Sequence, residues 1–60
     1  MEPLRIVGIK EIAERLGVAQ QTAAVWRFRG LLPEPEGYVS GMPAWRWVTI
    51  WRWARRTGRA

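Results

Sequence analysis

The sequence predicts a mainly α-helical fold with one small β-hairpin, and three observations support this prediction. Apolar residues recur at helical spacing in three segments, at about 9–16, 20–29 and 47–57. The intervening segment at about 36–46 contains the glycine and proline signals of a short hairpin. The chain has only 60 residues, so we expect a single domain that buries roughly 60% of the surface exposed by its unfolded form.

The first predicted helix, over 9–16, has one apolar face. Four residues at positions i, i+3, i+4 and i+7 share that face: Ile9, Ile12, Ala13 and Leu16. Gly17 is expected to end the helix, because a residue in the left-handed conformation is least strained when it lacks a Cβ.

The second predicted helix, at about 20–29, has an inner side with small residues and a largely polar outer side. On a helical wheel of about 100° per residue, Ala19, Ala23 and Trp26 fall on the side expected to face the first helix. Gly30 is expected to end the helix, and Pro33 disfavours helix just before it. The outer side carries Gln20, Gln21, Ala24 and Phe28, with Val25 and Arg27 at its edges.

Together, the two segments predict a helix-turn-helix motif. Residues 14–29 contain a helix ending in Leu-Gly-Val, a tight turn and a second helix with a polar outer face. In this motif the second helix is presented to the major groove of DNA. The sequence therefore predicts a DNA-binding protein; finding residues 20–29 buried or extended would contradict the prediction.

Residues 36–46 are predicted to form a wing, a two-stranded flap beside the second helix. The first strand is expected at about 36–39 and the return strand at about 42–46, with the turn between them. A glycine suits a turn position with positive φ. An irregular loop is the alternative. The tip of the wing, expected to lie along the DNA backbone or the minor groove, consists of Ser40, Gly41 and Met42.

The third predicted helix, at about 47–57, has more apolar surface than one core requires. Its core stripe comprises Trp47, Ile50, Trp53 and Ala54, and its opposite side carries Arg52, Arg55, Arg56 and Arg59. Val48 and Trp51 widen the apolar arc to about 220°, whereas about 100° suffices to pack on one core. We therefore predict a protein–protein contact through Trp47, Val48 and Trp51; the alternative is that both rings complete the core.

The positive charge is concentrated in the last part of the chain. The net charge is +5; residues 1–36 carry five bases and five acids, whereas residues 37–60 carry five arginines and no acid. Arginine suits phosphate contacts. A solvated basic tail is one alternative, and a basic amphipathic helix that binds an anionic membrane or a partner is another.

The composition disfavours several other functions. Because the chain has no cysteine and no histidine, neither a disulfide nor a metal site is expected. No phosphate-binding glycine-rich loop or catalytic constellation is found, so we expect no enzyme activity, cofactor or small-molecule substrate. No apolar run or signal peptide indicates a membrane protein, and a cytoplasmic location is expected. The chain ends, residues 1–6 and 58–60, are predicted to be flexible.

Several short motifs along about residues 7–59 form a recognisable pattern. They are Ile12-Ala13-x-x-Leu16-Gly17-Val18, Thr22, Trp26 and Arg29-Gly30-Leu31-Leu32-Pro33, followed by Gly41-x-Pro43-x-Trp45, Ile50-x-x-Trp53-Ala54 and Thr57-Gly58-Arg59. The first set resembles the winged helix of MerR-type regulators, and the second set more specifically resembles the small AlpA-like regulators and phage excisionases, also called recombination directionality factors.

The resemblance implies a DNA-binding and DNA-bending protein of a bacterial host cell, associated with the nucleoid. Excisionases bind as adjacent copies and direct an integrase toward excision, so the expected partners are double-stranded DNA, further copies of the chain and an integrase or recombinase. A small transcriptional regulator is the alternative within this class. The long dimerisation helix that follows the winged helix in MerR-type regulators has no counterpart in these 60 residues.

The sequence departs from the family pattern on the expected DNA-facing surface. Ala19 replaces a frequent serine whose hydroxyl caps the recognition helix, a loss of about 1 kcal/mol. Ala24 and Val25 replace frequent polar or basic residues, Phe28 stands where a base is common, and Met42 replaces a frequent arginine at the wing tip. The surface is therefore poorer in hydrogen-bonding groups than those of its relatives.

Within the second helix, the side chains divide into two predicted roles. Gln20, Gln21 and Ala24 are predicted to contact bases, since glutamine amides pair with adenine and an alanine methyl contacts the thymine methyl. Thr22, Arg27 and Arg29, together with Arg46 at the base of the wing, are predicted to contact phosphates. The first amides of the helix are also expected to face a phosphate.

Overall fold

The computed structural model describes residues 5–59, which form three helices and a three-stranded antiparallel sheet. In chain order the elements are β1 (Ile6–Val7), α1 (Ile9–Leu16), α2 (Gln20–Phe28), β2 (Gly37–Val39), β3 (Met42–Arg46) and α3 (Trp47–Arg56). The three helices were predicted from the periodicity to within one residue at each end. The fold is mixed α/β, however, because the sheet has one strand more than the predicted hairpin.

The helices end through the same backbone arrangement. At the end of α1, Gly17 has φ +72°, its N–H donates to the Glu14 carbonyl, and the Val18 N–H donates to the Ala13 carbonyl. This pair of bonds is a Schellman motif, which satisfies carbonyls that the helix leaves unpaired. The same pattern recurs at Gly30 after α2 and at Gly58 after α3. The predicted stops at Gly17 and Gly30 are confirmed.

The β2–β3 hairpin is closed by a two-residue turn, as predicted. Ser40 and Gly41 both have positive φ, 52° and 80°, which is the type I′ geometry that matches the twist of paired strands. Val39 pairs with Met42, and Gly37 pairs with Ala44. The alternative of an irregular loop is therefore wrong.

Strand β1 is the element that the sequence analysis missed. Val7 pairs with Trp45 and Ile6 pairs with Arg46, so β3 lies between β1 and β2. The Arg5 carbonyl also accepts a hydrogen bond of 2.7 Å from the N–H of Trp47. Within the start predicted to be flexible, residues 1–6, the backbone of Arg5 and Ile6 therefore pairs with β3 and the start of α3, and the flexibility itself stays a prediction. Residues 1–4 lie outside the described part of the chain.

One apolar core connects the sheet to the helices. It consists of Val7, Ile12, Leu32, Trp45, Ile50, Trp53 and Ala54, with Ile9, Leu16, Trp26 and Trp47 packed against it. Trp45 is fully buried, and its indole Nε1–H donates to the Pro33 carbonyl at 2.8 Å. This bond satisfies the buried indole N–H and fixes the connection between α2 and β2 against the sheet.

Arg59, within the predicted flexible end at 58–60, makes contacts with the rest of the fold. The Arg59 N–H donates to the Ala54 carbonyl at 2.7 Å, and the guanidinium carbon lies 5.2 Å from the Trp26 ring centroid and 5.0 Å from that of Trp53. The flexibility of this end stays a prediction, and Ala60 lies outside the described residues. Within 5–59, no helix is long and apolar enough to cross a membrane.

Candidate nucleic-acid interface

Helix α2 is anchored on one side only. Ala23 is fully buried where α2 packs on α1, and the half-buried Trp26 meets Trp53 of α3 edge to face, with ring centroids 5.5 Å apart and an interplanar angle of 63°. Small residues let helices approach closely, and the tryptophan pair braces the far end of the helix. The two contacts fix which face of α2 points outward.

The face opposite Ala23 is an exposed stripe of four residues. Gln21, Ala24, Val25 and Phe28 occupy positions i, i+3, i+4 and i+7, within about 100° of arc on the helical wheel. All four are exposed, and Phe28 is 92% exposed. We call these four residues the outer stripe of α2. It contains Gln21 and Ala24, two of the three residues predicted to contact bases.

The remaining predicted contact residues flank the outer stripe. Gln20 lies about 100° around the helix from Gln21, on the same flank as Arg27, and Thr22 lies on the other flank. Arg29 is the residue at the C-terminal cap. All of them are exposed. The geometry therefore places Gln20 beside the stripe and not at its centre; its predicted base contact stays a prediction, as do the predicted phosphate contacts.

The N-terminus of α2 is not capped by a side chain. Ala19 is the N-cap residue and makes no side-chain hydrogen bond; its carbonyl accepts from the N–H groups of Thr22 and Ala23 at 3.0 and 3.3 Å. The first N–H groups of a helix have no intrahelical partner and carry the positive end of the helix dipole. Ala19 is exposed, so its predicted place against α1 is wrong, because it precedes the first helical turn.

Helices α2 and α3 carry arginines and no acidic residue. No acidic residue occurs between positions 15 and 33 or after position 36. Two of the remaining carboxylates are engaged within the fold, since Glu11 accepts from the Gly8 N–H at 2.7 Å and Glu36 pairs with Arg46. Five arginines of α2, α3 and their ends are exposed: Arg27, Arg29, Arg52, Arg55 and Arg56.

Arg46 has an intramolecular partner that the sequence analysis missed. Glu36 accepts from the Arg46 backbone N–H at 2.8 Å and from its guanidinium at 2.9 and 3.0 Å. The hydrogen bond from the Arg46 N–H is the largest cause of the lowered pKa of Glu36; burial opposes it, and a Thr49 side-chain bond and the Arg46 guanidinium lower the pKa further. The charge of Arg46 is therefore offset locally. Its predicted phosphate contact remains a prediction and requires a phosphate to compete with Glu36.

The hairpin tip is exposed and carries no positive charge. Ser40, Gly41 and Met42, the predicted tip residues, are all exposed, and Met42 is 62% exposed. On the same face of the sheet, Val39 and Ile6 are 60% and 52% exposed. The sequence analysis missed this apolar sheet face, because Ile6 was assigned to a flexible end. The turn at Ser40-Gly41 sets which side chains of 37–46 alternate onto each face of the hairpin. This alternation could have shown from the sequence that Val39 and Met42 lie on the same face.

The predicted protein–protein surface of α3 is smaller than expected. Trp47 is half-buried against the core, with the Arg15 guanidinium 5.0 Å from its ring centroid, and Val48 is also half-buried. Trp51 is 41% exposed; its ring lies 6.3 Å from that of Trp47, and the Arg55 guanidinium lies 5.5 Å away. Trp47 thus follows the alternative of completing the core, and Trp51 supplies most of the exposed surface.

Comparison with known proteins finds no match among protein families, curated proteins or solved structures. The resemblance to AlpA-like regulators and excisionases therefore stays a prediction. The arrangement of α2, with one anchored face and one exposed face, is the basis for proposing a function.

Proposed function

We propose that this chain is a winged helix-turn-helix protein that binds double-stranded DNA with a sequence preference, by placing α2 in the major groove. One observation carries the proposal: α2 is anchored through Ala23 and Trp26, while its opposite face is exposed and the helix itself carries no acidic residue. A B-DNA major groove about 12 Å wide admits a helix of this kind.

The roles of the α2 side chains follow from their positions. Gln21 lies in the outer stripe, where its amide can pair with N6 and N7 of adenine, a contact worth about 1–3 kcal/mol of discrimination. Arg27 and Arg29 lie where they can contact phosphates, which fix the position of the helix without reading sequence. Thr22 and the first amides of α2 add uncharged donors to the backbone.

We further propose that the biological role is that of an excisionase, binding as adjacent copies that bend DNA and direct an integrase. The family resemblance and the small size of the domain support this role, because a single module buries only about 600–1,000 Å² on DNA. Adjacent copies raise affinity and add successive bends. A small transcriptional regulator is the second candidate, since it requires the same fold.

A membrane-binding role for α3 is less well supported. Such a role needs a helix whose apolar face is available to lipid. In α3, the apolar residues Ile50, Trp53 and Ala54 are buried in the core. Among the apolar residues of that helix, Trp51 and parts of Trp47 and Val48 remain at the surface, which is little area for interfacial binding.

DNA binding is tested by fluorescence anisotropy with a random-sequence duplex and unlabelled competitors, at about 50 mM and about 200 mM salt. Four to six phosphate contacts predict a slope of log K on log salt of about −4 to −5. Arg27→Ala should weaken binding to all sequences and reduce the slope by about 1. Arg52→Ala removes the same charge from α3 and is the matched control.

Selection from a random duplex library then tests the sequence preference. Gln21→Ala should relax the selected sequence, whereas Arg27→Ala should leave it unchanged. Absence of salt-sensitive DNA binding would refute the proposal outright. If Arg27→Ala and Arg52→Ala lose equal DNA affinity and no sequence is selected from the library, the binding is a non-specific attraction of DNA to a basic surface. Probes of stepped length and permuted bend position test the proposed adjacent copies and bending.

A further inference from the structure

We infer that the outer stripe of α2 recognises the 5-methyl groups of pyrimidines in the major groove, with Phe28 as its principal contact. The inference rests on the proposed DNA-binding function and adds a specificity that this function does not require. Three of the four residues in the stripe, Ala24, Val25 and Phe28, are apolar. A stripe with a single hydrogen-bonding side chain cannot read most base edges through donors and acceptors.

The exposure of Phe28 has no explanation within the fold. Its side chain is 92% exposed, the highest value among the exposed large apolar residues in 5–59, and it does not belong to the core. A lone exposed phenylalanine is ordinary, but here it adjoins the exposed Val25 and Ala24 on the same face. A continuous apolar face on an otherwise basic surface indicates a binding site.

Two shallow, open depressions lie along the outer stripe. Gln21, Ala24, Val25, Phe28 and Arg29 line the first, of about 380 Å³. A second depression of about 310 Å³ adjoins it and shares Gln21 and Val25. The thymine methyl group projects into the major groove beside O4, and alanine and phenylalanine side chains are among its known apolar partners.

The charge and length of the stripe also fit a short segment of duplex. Arg27 and Arg29 supply positive charge next to the stripe, so a polyanion is favoured over an uncharged apolar partner. Gln21 and Phe28 are seven residues apart, about 10 Å along the helix, which spans about three base pairs. One short A·T segment can therefore present an adenine to Gln21 and thymine methyl groups to Phe28.

Replacing thymine by uracil tests this inference, because uracil lacks only the 5-methyl group and keeps the same hydrogen-bonding atoms. The probes are two duplexes of A·T pairs, of about 20 base pairs or two helical turns, one with thymine and one with uracil. We expect the wild-type chain to bind the thymine duplex roughly four- to fifteenfold more tightly, as one or two buried methyl groups imply. Phe28→Ala should bring this ratio close to one.

Tyr38→Ala is the matched control, because Tyr38 is an aromatic residue of the hairpin that is 65% exposed. It should leave the thymine-to-uracil ratio unchanged even if overall affinity falls. Circular dichroism establishes that both variants fold, as expected for two exposed side chains. In a second arm, replacing cytosine by 5-methylcytosine in a G·C duplex should strengthen binding by a similar factor.

The outcomes separate the inference from the proposed function. Equal affinity for thymine and uracil duplexes, with salt-sensitive binding to both, overturns methyl recognition and leaves DNA binding intact. A ratio that persists in Phe28→Ala assigns the preference to duplex shape and overturns the role of Phe28. No gain from 5-methylcytosine counts against methyl recognition. No salt-sensitive binding to any duplex overturns the proposed function itself.

Discussion

Trp26 of α2 and Trp53 of α3 meet edge to face, with ring centroids 5.5 Å apart, and the guanidinium of Arg59 lies within 5.2 Å of both ring centroids. Arg59 reaches this position because the Schellman turn at Gly58 returns the chain toward Ala54. The end of α3 therefore braces the helix proposed to enter DNA. Contacts remote from the outer stripe thus determine the orientation of that stripe.

Arg59→Ala is expected to lower the stability of the fold. Two cation–π contacts at a half-buried site are worth about 0.5–1 kcal/mol each. A loss of about 1 kcal/mol lowers the melting temperature of a domain of this size by about 4–8 °C. Thermal unfolding followed by circular dichroism measures the change. Arg56→Ala, which removes an exposed arginine one turn earlier, should change the melting temperature by much less. Equal shifts in the two variants would contradict a stabilising contact of Arg59 with Trp26 and Trp53.

How much of the molecule the sequence predicts depends on how local each feature is. The helices follow from periodicity, and the outward position of Gln21 and Ala24 follows from the wheel once Ala23 is assigned to the inside. Strand β1 could not be predicted because two residues show no alternation. Its existence depends on a partner strand nearly 40 positions later in the chain.

The Glu36–Arg46 pair could not be read from the hairpin register. The two-residue turn at Ser40-Gly41 fixes a register that, continued by one residue, would set Glu36 opposite Trp45. The Glu36 N–H instead donates to the carbonyl of Ala44, the partner of Gly37, and this departure from the regular register accompanies the contact of Glu36 with Arg46. The place of Arg59 could not be predicted, because it depends on how α2 and α3 pack across the core.

Ala19→Ser is expected to stabilise the fold. Ala19 has the extended backbone of an N-cap residue, with φ −66° and ψ 148°, but no side-chain acceptor. A serine hydroxyl there can accept from an unpaired N–H of the first turn, a gain of about 0.5–2 kcal/mol. Urea unfolding measures this gain in the free energy of unfolding. Ala24→Ser, at an exposed position inside the helix, is the control and should be neutral or slightly destabilising; a similar gain in both would exclude capping as the cause.

Trp45 should contribute more to the free energy of unfolding than burial of a ring of its size alone implies. Trp45→Phe removes the donor to the Pro33 carbonyl and leaves a cavity in the core, so we expect a loss of about 2–4 kcal/mol. Trp51→Phe makes the same chemical change at a site that is 41% exposed, and should cost less than about 1 kcal/mol. Chemical unfolding of the two variants compares them directly. Similar losses would contradict the anchoring role of Trp45.

Acid should weaken the fold in part through Glu36. The pKa of this carboxyl is lowered in the folded chain, first by the hydrogen bond from the Arg46 N–H, so the folded state favours its ionised form. The resulting stabilisation is fully present above the pKa of the unfolded chain, about 4.3, and is lost as pH falls through the lower folded pKa. Because the pair is largely exposed, the contribution stays below about 1 kcal/mol.

Glu36→Gln isolates that contribution. Near pH 7 the variant should be less stable than the wild-type chain, and the difference should shrink as the pH falls below the unfolded-chain pKa of about 4.3 and through the lower folded pKa of the wild-type carboxyl. Urea unfolding at a series of pH values measures the difference. Glu34→Gln, two positions earlier, removes a carboxylate that is not hydrogen-bonded to Arg46 and serves as the control. If the Glu36→Gln difference stays constant with pH, it arises from lost packing or hydrogen bonding, and the carboxylate charge contributes nothing to the stability of the hairpin base.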